Sequence, residues 1–326
     1  MNNIKKIGLF GFGTVGKGFY EVLKNHPDLP VSLEKVCIKR LDLERIGHEL
    51  YFTNHASELL EDAELDIIIE VIDDAVAAKE IVKSALKAGK AVISANKKMI
   101  AESISEVHEW HQQHKEPFLY EAAVAGAIPI INTIESSLKD YQIRSIQGIL
   151  NGSSNYILTK MQQENLAFEK ALSEAQKKGF AESDPTLDIA GFDASYKLAI
   201  LAYHAFGDTE MLNNCTRRNI EEVTAQDIEE AVKQGKKIKP IASVSYEDGR
   251  LVSTVGPEWV DADNGLFNVD NEFNAVSLDT KISGQHVLIG KGAGDLPTGS
   301  AVFSDLKRVL SGYKYHTQEL DATLLD

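Results

Sequence analysis

Residues 4–24 read IKKIGLFGFGTVGKGFYEVLK, an apolar strand followed by a glycine-rich turn and a helix. In this context Gly11, Gly13 and Gly16 form the pattern GxGxxG. The first glycine permits a tight turn, the second lets the backbone approach a pyrophosphate, and the third lets helix and strand pack closely. The N-terminus of the helix offers N–H groups and partial positive charge to phosphates. The stretch therefore predicts a dinucleotide-binding turn, and a glycine turn of purely steric origin is the alternative.

The end of the second strand bears on which dinucleotide binds. The residues of the turn predicted to contact the cofactor are Gly11, Phe12, Gly13, Thr14, Val15 and Gly16. An NAD site usually has an acidic residue at the end of the next strand, for the ribose 2′-hydroxyl. Here that strand ends in Ile38, Lys39 and Arg40, and the two cations suit a 2′-phosphate. This favours NADP, while Asp42 nearby leaves NAD open.

Strands and helices alternate through the first 130 or so residues. Strand patterns at 4–10, 33–38, 66–72, 91–94 and 118–120 are separated by helical patterns at 17–24, 77–88 and about 98–114. This alternation predicts an α/β fold, a Rossmann doubly wound parallel sheet. Helical stretches at 156–179 and 194–206, with strands at 144–150, 240–245, 251–254, 274–280 and 286–291, predict a second, α+β domain. We place the domains at 1–132 and 133–298, with a C-terminal helix in 299–326, roughly 299–310, that packs back on the first domain.

Composition limits the function classes. The chain has 326 residues, 43% of them hydrophobic and 25% charged, with a net charge of −15. A surface of that sign disfavours nucleic acid and anionic lipid as partners. The apolar runs are too short to span a membrane, and the N-terminus lacks the pattern of a signal peptide. Cys37 and Cys215 are too few for a disulfide framework, so a reducing cytoplasm is expected.

Two segments after later strands could contribute to a site in the first domain. Lys97 follows the strand at 91–94 and should lie in the crevice where open α/β sheets bind ligands. A solvated turn lysine is the alternative. The loop that begins at Glu121 is rich in small residues, which let the backbone approach a ligand or turn carbonyls toward a cation.

The segment 179–197, GFAESDPTLDIAGFDASYK, concentrates ionisable groups. Asp193 and Lys197 are four residues apart, so they share a face if a helix begins near Asp193. The residues after Lys197 are apolar, which predicts a buried helix. Burial disfavours a charged ammonium and a nearby carboxylate favours it, so such a lysine can exchange a proton near neutral pH. The alternative is a helix N-terminus with a structural ion pair, and His204 on the same helix is read as a core histidine.

Several stretches closely resemble homoserine dehydrogenase. They are GLFGFGTVGKG at 8–18, ISANKKMIAE at 93–102, YEAAVAGAIPII at 120–131, GILNGSSNYILTKM at 148–161, AQKKGFAESDPTLDIAGFDASYK at 175–197 and GKGAGDLPTGSAVFSDL at 290–306. The segment at 175–197 corresponds to the family signature. The resemblance implies NAD(P)-dependent interconversion of L-homoserine and L-aspartate 4-semialdehyde, a step toward threonine and methionine.

The resemblance also implies roles for single residues. Lys197 would exchange the proton at the substrate oxygen, Asp193 would orient substrate and lysine, and Lys97 would line the active site. Acidic residues of the cluster, Glu182 and Asp188, would bind substrate, with Glu182 on its amino group. Residues corresponding to the family's sodium site, formed largely by backbone carbonyls, are Glu121, Val124, Gly126 and Ile128. Residues 151–155 and the glycines Gly292 and Gly294 match segments near the cofactor. The family implies a homodimer or homotetramer, with the second domain serving catalysis and dimerisation.

Three departures from the family pattern stand out. Asp73 and Asp74 occupy positions where the family usually has two glycines, which adds negative charge, expected near the nicotinamide half of the cofactor. Ser153 and Ser154 replace the usual threonines. The sequence ends at Asp326 without the regulatory ACT domain of many relatives, so feedback inhibition through it is not expected. Two rivals remain: a sister dehydrogenase of another small amino acid or semialdehyde, and a catalytically silent NAD(P)-binding regulator.

Overall fold

A computed structural model of the chain describes residues 4–41, 50–247 and 249–316. Asp42, the turn residue Asp248 and residues 317–326 of the predicted C-terminal segment lie outside the described residues. The described residues form two compact units, 4–127 with 293–316, and 128–292. The boundaries between the units follow residues 127 and 292, whereas the domain boundaries expected from the sequence follow residues 132 and 298. Each unit has its own six-stranded sheet.

The first unit contains a parallel sheet with helices between its strands. Its elements up to residue 127 are Lys5–Phe10 (β1), Thr14–Lys24 (α1), Val31–Cys37 (β2), Tyr51–Thr53 (β3), Ser57–Leu60 (α2), Ile67–Glu70 (β4), Ala75–Lys87 (α3), Ala91–Ser94 (β5), Lys97–Glu102 (α4), Ile104–Gln113 (α5) and Phe118–Leu119 (β6). The strand order β3-β2-β1-β4-β5-β6, with every pairing parallel, is a doubly wound arrangement. The predicted α/β fold is confirmed.

The burial of the central strands explains their continuous apolar sequences. All four residues of β4 and all four of β5 are buried, as expected for strands covered on both faces. Two expectations were wrong in detail. The single helix predicted at 98–114 is two helices, α4 and α5, interrupted at Ser103. Strand β3, three residues long, was not predicted, because so short a segment has too little apolar pattern to be recognised.

The second unit is built on a mixed sheet. Its elements are Ile130–Asn132 (α6), Ile143–Ile149 (β7), Gly152–Gln163 (α7), Phe168–Lys177 (α8), Thr186–Ile189 (α9), Phe192–Phe206 (α10), Met211–Asn214 (α11), Thr216–Arg217 (β8), Ala225–Lys233 (α12), Lys237–Glu247 (β9), Arg250–Val260 (β10), Phe273–Thr280 (β11) and Gly284–Lys291 (β12). The order is β12-β11-β7-β9-β10-β8, antiparallel except for the pair β8 and β10.

The single helical stretch predicted at 156–179 is two helices, α7 and α8. The helix is interrupted between Gln163 and Phe168, where Asn165 has φ +52°. Asparagine tolerates this left-handed conformation better than most residues, which allows the chain to turn there. Helix α12 was not predicted, although Thr224 and Asp227 form a capping box at its start.

The last helix, Asp295–Leu310 (α13), belongs to the first unit and packs closely on α1. A Cβ atom at Gly18 would lie 2.0 Å from the carbonyl oxygen of Asp295, and one at Gly299 would lie 2.3 Å from the carbonyl carbon of Gly18. The two backbones can approach this closely only because both positions lack a side chain. The helix begins four residues before Gly299, the start predicted from the sequence.

Candidate active site

The turn after β1 has the geometry of a phosphate cradle. Gly11 has φ +96°, and a Cβ atom there would lie 2.8 Å from the carbonyl oxygen of Val71. A Cβ atom at Gly16 would lie 2.3 Å from the carbonyl oxygen of Gly11, whereas one at Gly13 would have no atom within 4 Å. The turn thus requires glycine at two positions for the fold, and at Gly13 it leaves open space above the backbone.

The start of α1 supplies the charge that such a cradle needs. The N-cap is Gly13, which has no side chain to accept from the first turn, so the N–H end of the helix dipole is available to an anion. Gly13 and Thr14 are exposed, Val15 is half-buried, and Phe12 is buried against Tyr20 and Phe52. Among the predicted turn residues, Gly13 and Thr14 are therefore open to a ligand, whereas Phe12 packs into the core of the first unit.

The two cations at the end of β2 are exposed, and a carboxylate lies near Lys39. Lys39 and Arg40 follow directly after the strand region. The Nζ atom of Lys39 lies 3.7 Å from Oδ2 of Asp74. From the sequence, the charge of Asp74 was expected near the nicotinamide half of the cofactor. The structure instead places Asp74 beside Lys39, where the ribose of the adenosine half is expected.

Lys97 is the first residue of α4, immediately after the carboxyl end of β5. The preceding residue, Asn96, caps the helix, since its Oδ1 accepts from the N–H of Met99 at 2.9 Å. The Nδ2 group of Asn96 donates to the carbonyl of Ile72 at 2.9 Å. Lys97 is half-buried at the sheet edge where parallel α/β folds bind ligands, as its position in the sequence predicts.

The second unit contains a buried lysine held by two oxygens. Helix α10 begins after Gly191, at φ +77°, and places Asp193 and Lys197 one turn apart. The Nζ atom of Lys197 donates to Oδ2 of Asp193 at 2.8 Å and to the carbonyl of Leu150 at 2.7 Å. The side chains of Lys197 and Asp193 are 9% and 5% exposed. The spacing of four residues predicted this pair, and the geometry confirms it.

Asn151 joins the acidic residues around this lysine. It is the N-cap of α7 and accepts from the N–H of Ser154 at 2.8 Å. Its Nδ2 group donates to Asp188 at 2.7 Å and to Asp193 at 2.9 Å. From the sequence, Asn151 was expected only as part of a segment near the cofactor, and its contacts with the two carboxylates were not predicted. An asparagine directly before a helical pattern is an N-cap signal, but its contacts to distant carboxylates cannot be read from it.

Glu182 is not part of this cluster. It lies on the loop between α8 and α9 with its side chain exposed, and its backbone carbonyl accepts from the Nε2 group of Gln176 at 3.0 Å. The cluster as the structure shows it therefore consists of Lys197, Asp193, Asn151 and Asp188, with the carboxylate of Glu182 on the adjoining loop.

Comparison with known proteins places the chain in a family. A family profile described as homoserine dehydrogenase matches residues 129–306, and one described as its NAD binding domain matches residues 11–121. The homoserine dehydrogenase of Bacillus subtilis (strain 168) is 35% identical over 319 residues, which is 95% of this chain and 73% of that protein. The chain belongs to the homoserine dehydrogenase family.

Solved structures of homoserine dehydrogenases share the fold. The enzyme from Thiobacillus denitrificans superposes with a TM-score of 0.91 at 32% identity, over 99% of this chain and 78% of that one. A hyperthermophilic archaeal homoserine dehydrogenase in complex with NADPH superposes with a TM-score of 0.82 at 28% identity, over 95% of this chain and 99% of that one. By family this chain is an NAD(P)-dependent oxidoreductase that acts on a CH–OH group.

The loop that matches the family's sodium segment is tied to α13. The N–H of Glu121 donates to Oδ2 of Asp305 at 2.8 Å, and burial raises the pKa of Asp305 well above its usual value. The carbonyl of Glu121 accepts from the N–H of Val124 at 3.3 Å, and Gly126 turns the backbone at φ +57°. The carbonyl of Ile128 accepts from the N–H of Ile130 at 2.8 Å. Within the described ranges, no group of three or more His, Cys, Asp or Glu residues could hold a metal ion.

The glycines of the 290–294 segment have different roles. A Cβ atom at Gly292 would lie 2.1 Å from Cγ of Asn274, so only glycine fits against that amide. Asn274 donates to the carbonyl of Leu150 at 2.9 Å, the same carbonyl that accepts from Lys197. Gly294, at φ +116°, is the N-cap of α13. Gly292 therefore supports the lysine site through Asn274, a link that the sequence analysis missed.

The histidine of α10 is part of the core, as predicted. His204 is 2% exposed, and its Nδ1 lies 2.6 Å from Oε1 of Glu135. Glu135 belongs to a π-helical segment, Thr133–Leu138.

Glu70 is a buried carboxyl to which no role was assigned from the sequence. It ends β4, accepts from the hydroxyl of Ser94 at 2.5 Å and from the N–H of Ile72 at 2.7 Å, and is 0% exposed. The bond from Ser94 joins the ends of β4 and β5, and the bond from Ile72 holds the start of the loop to α3. Burial raises the pKa of Glu70 to about 7, the charge of Asp73 adds to that rise, and the two hydrogen bonds oppose it. In the sequence, this buried carboxyl is indicated only by an acidic residue at the end of an apolar strand.

Replacing this carboxyl should change how stability depends on pH. A folded-state pKa of about 7 against an ordinary 4.5 means that the folded chain holds this proton more tightly, so the free energy of unfolding falls as pH rises from 4.5 to 7. The loss is about 3 kcal/mol over that interval. Glu70→Gln mimics the protonated group and should remove this component, measured by urea unfolding from pH 4.5 to 8. Parallel pH curves for the two proteins would contradict the assignment.

Proposed function

We propose that this chain interconverts L-homoserine and L-aspartate 4-semialdehyde with an NAD(P) cofactor, a step toward threonine and methionine. The observation that carries the proposal is the buried ammonium of Lys197, held against Asp193 in a chain of this family. The phosphate cradle at Gly11–Gly16 supports the cofactor, and the acidic residues around Asn151 suit a substrate that carries an ammonium group.

Lys197 serves as the acid and base of the reaction. In the reducing direction it donates a proton to the oxygen that the aldehyde carbonyl becomes, and in the oxidising direction it takes the hydroxyl proton. Asp193 and the Leu150 carbonyl fix the nitrogen, because both accept from it. Proton transfer to the oxygen prevents an unprotected alkoxide from forming. The nicotinamide, when bound, supplies or accepts the hydride at the substrate carbon.

The remaining predicted residues bind substrate and cofactor. Asp188, positioned by Asn151, and Glu182, on the exposed loop, offer carboxylates to the substrate ammonium group. Lys97 lies at the carboxyl edge of the parallel sheet, where it serves both cofactor and substrate. Structural support is strongest for Asp188, which is joined to the Lys197 cluster.

The proposed cofactor is NADP, with NAD as the alternative. Lys39 and Arg40 at the end of β2 suit a 2′-phosphate, and a structural relative at 28% identity is a complex with NADPH. The proposed cofactor-binding residues also include Gly292 and Gly294. Gly292 packs against Asn274, and Gly294 is the N-cap of α13.

A sodium ion is proposed for the loop that begins at Glu121. Glu121, Val124, Gly126 and Ile128 would hold it, chiefly through backbone carbonyls. Sodium accepts neutral oxygen ligands of this kind, and the ion would stiffen the loop. The positive φ of Gly126 supports the proposal, because it turns the backbone within the segment.

The proposed assembly is a homodimer or homotetramer formed through the second unit. Strand β12 is at one edge of its sheet, and Val287 and Ile289 on it are exposed, as is Ile282 in the turn before it. An apolar edge strand is favourable for pairing with another copy. Static light scattering of the purified chain would give the mass of the assembly.

The proposed location is the cytoplasm. Both cysteines, Cys37 and Cys215, are free and buried, which fits a reducing compartment. Across the part of the chain that the structure describes, no helix has the length and apolar character to cross a membrane.

The test of the proposed function is a steady-state assay of homoserine oxidation with NADP and with NAD. Reduction of the nicotinamide that depends on L-homoserine is the expected result. Turnover with other amino alcohols or aldehydes but none with homoserine or aspartate semialdehyde would favour a sister dehydrogenase. Binding of cofactor without turnover of any of these substrates would favour the silent regulator.

A further inference from the structure

The pair formed by Lys39 and Asp74 joins the ends of two strands of the first unit. Lys39 follows β2, and Asp74 follows β4 as the N-cap of α3. One carboxylate oxygen of Asp74, Oδ1, accepts from the N–H of Ala77 at 3.1 Å, and the other, Oδ2, lies 3.7 Å from Nζ of Lys39. The cap fixes the carboxylate, and the lysine is the longer and more exposed partner, with 81% of its side chain exposed against 45% for Asp74.

The charge of Asp74 is present at neutral pH. The N–H of Ala77 lowers the pKa of this carboxyl, and the charge of Lys39 adds to the effect. The position is significant because the end of the second strand of a doubly wound sheet is where the adenosine ribose binds. A 2′-phosphate there would meet Lys39 and Arg40 as attractive charges and Asp74 as a repulsive one. A 2′-hydroxyl carries no charge and would be nearly indifferent to all three.

We propose that Asp74 is a specificity-determining residue that weakens binding of 2′-phosphorylated cofactors, by engaging Lys39 and by placing a fixed negative charge beside the 2′ position. The inference rests on the proposed function, because it assumes that the glycine turn binds a dinucleotide. It goes beyond that function by assigning a balance between NADP and NAD to one carboxylate. The chain accordingly accepts both cofactors more evenly than its two cations alone would dictate.

The test measures nucleotide binding without catalysis. Calorimetric titration with adenosine 2′,5′-bisphosphate and with AMP compares two ligands that differ only in the 2′-phosphate. Asp74→Asn removes the charge and keeps an oxygen that can cap α3, so the fold is preserved. We expect Kd for the bisphosphate to fall about three- to tenfold, as for an exposed charge pair, and Kd for AMP to stay within about twofold. The gain should shrink at high salt.

Two further variants test the role of the pair itself. In a Lys39→Met background the same Asp74→Asn change should improve bisphosphate binding less, because no lysine remains to be released. Asp73→Asn removes an equal charge from the neighbouring exposed position, which has no ion pair with Lys39 among the described contacts, and should give a smaller gain. Near-UV circular dichroism of each variant confirms that it is folded.

Several results would overturn the inference. One is an unchanged Kd for the bisphosphate in Asp74→Asn, and another is an equal gain for AMP. An undiminished gain without Lys39, or an equal gain from Asp73→Asn, would show that general charge acts and not this pair. If neither nucleotide bound to the unaltered chain, the dinucleotide site itself would fail, and the inference with it. If both nucleotides bound but the ratio of their Kd values did not change in Asp74→Asn, only the inference would fail.

Discussion

Lys197→Met is expected to lower kcat for homoserine oxidation by about 10³-fold while the Kd for NADPH stays nearly unchanged. The side chain provides the nitrogen that exchanges the proton, and methionine has comparable length but no such group. Lys197 belongs to the second unit, whereas the glycine turn belongs to the first, so cofactor binding should persist. The measurements are steady-state kinetics and a fluorescence titration with NADPH. Loss of cofactor binding with an intact fold would contradict the assigned role.

The chain offers a matched control for this variant. Lys239, also in the second unit, is 1% exposed and donates to the carbonyl of Val269 at 2.6 Å and to Asp270 at 2.6 Å. It thus shares with Lys197 a buried ammonium, one backbone carbonyl and one aspartate, without the contacts to the Asn151 cluster. Lys239→Met should lower thermal stability and leave kcat of the folded enzyme within about twofold, since burial alone does not give a lysine a catalytic role. An equal loss of kcat in both variants would show that the effect is structural.

Asp193→Asn is expected to lower kcat by about 10²-fold, with a smaller change in the KM for cofactor. The amide has the shape of the carboxylate but not its charge, so the ammonium of Lys197 loses the partner that fixes it at 2.8 Å. Asn151 also loses one of its two carboxylate acceptors, because its Nδ2 group donates to the same oxygen of Asp193 as well as to Asp188. The pH profile of kcat should change as well, because the proton-exchanging group has lost its neighbouring charge.

The control for the charge is Asp270→Asn, which neutralises the aspartate beside Lys239. Removing one member of a buried ion pair costs about 3–5 kcal/mol, so Asp193→Asn should be less stable. Asp270→Asn should also lose stability, but less, because the Asp270 side chain is 24% exposed. Only Asp193→Asn should alter the pH profile of kcat. An unaltered profile in Asp193→Asn, with kcat reduced in proportion to the folded fraction, would assign Asp193 a structural role alone.

The features that sequence predicted are local ones. The turn at Gly11–Gly16 follows from glycine spacing directly after a strand, and β5 at Ala91–Ser94 was placed with the bounds that the structure has. The pair Asp193 and Lys197 follows from the helical repeat, because residues four apart share a face. In each case the pattern lies within one element or one turn, so no knowledge of distant packing was needed.

The features that sequence missed depend on contacts between distant segments. Asn151 bonds to Asp193 across 42 residues, and Asn274 reaches the carbonyl of Leu150 across 124. The approach of Asp74 to Lys39 likewise joins the ends of β2 and β4. Sheet pairing and helix docking decide such contacts, and neither propensity nor periodicity reports them. The residue types were noticed in part, but their partners could not be named.

The most direct test of the central claim is the single-turnover rate of NADPH formation in Lys197→Ala, with NADP and homoserine bound, measured with and without methylamine, whose unprotonated form can accept the hydroxyl proton. The alanine leaves space for a small amine where the Lys197 side chain stood. We predict that hydride transfer is at least about 10²-fold slower than in the unaltered chain, and that added amine accelerates it in proportion to its concentration. Hydride transfer at the unaltered rate without amine would contradict proton exchange by Lys197.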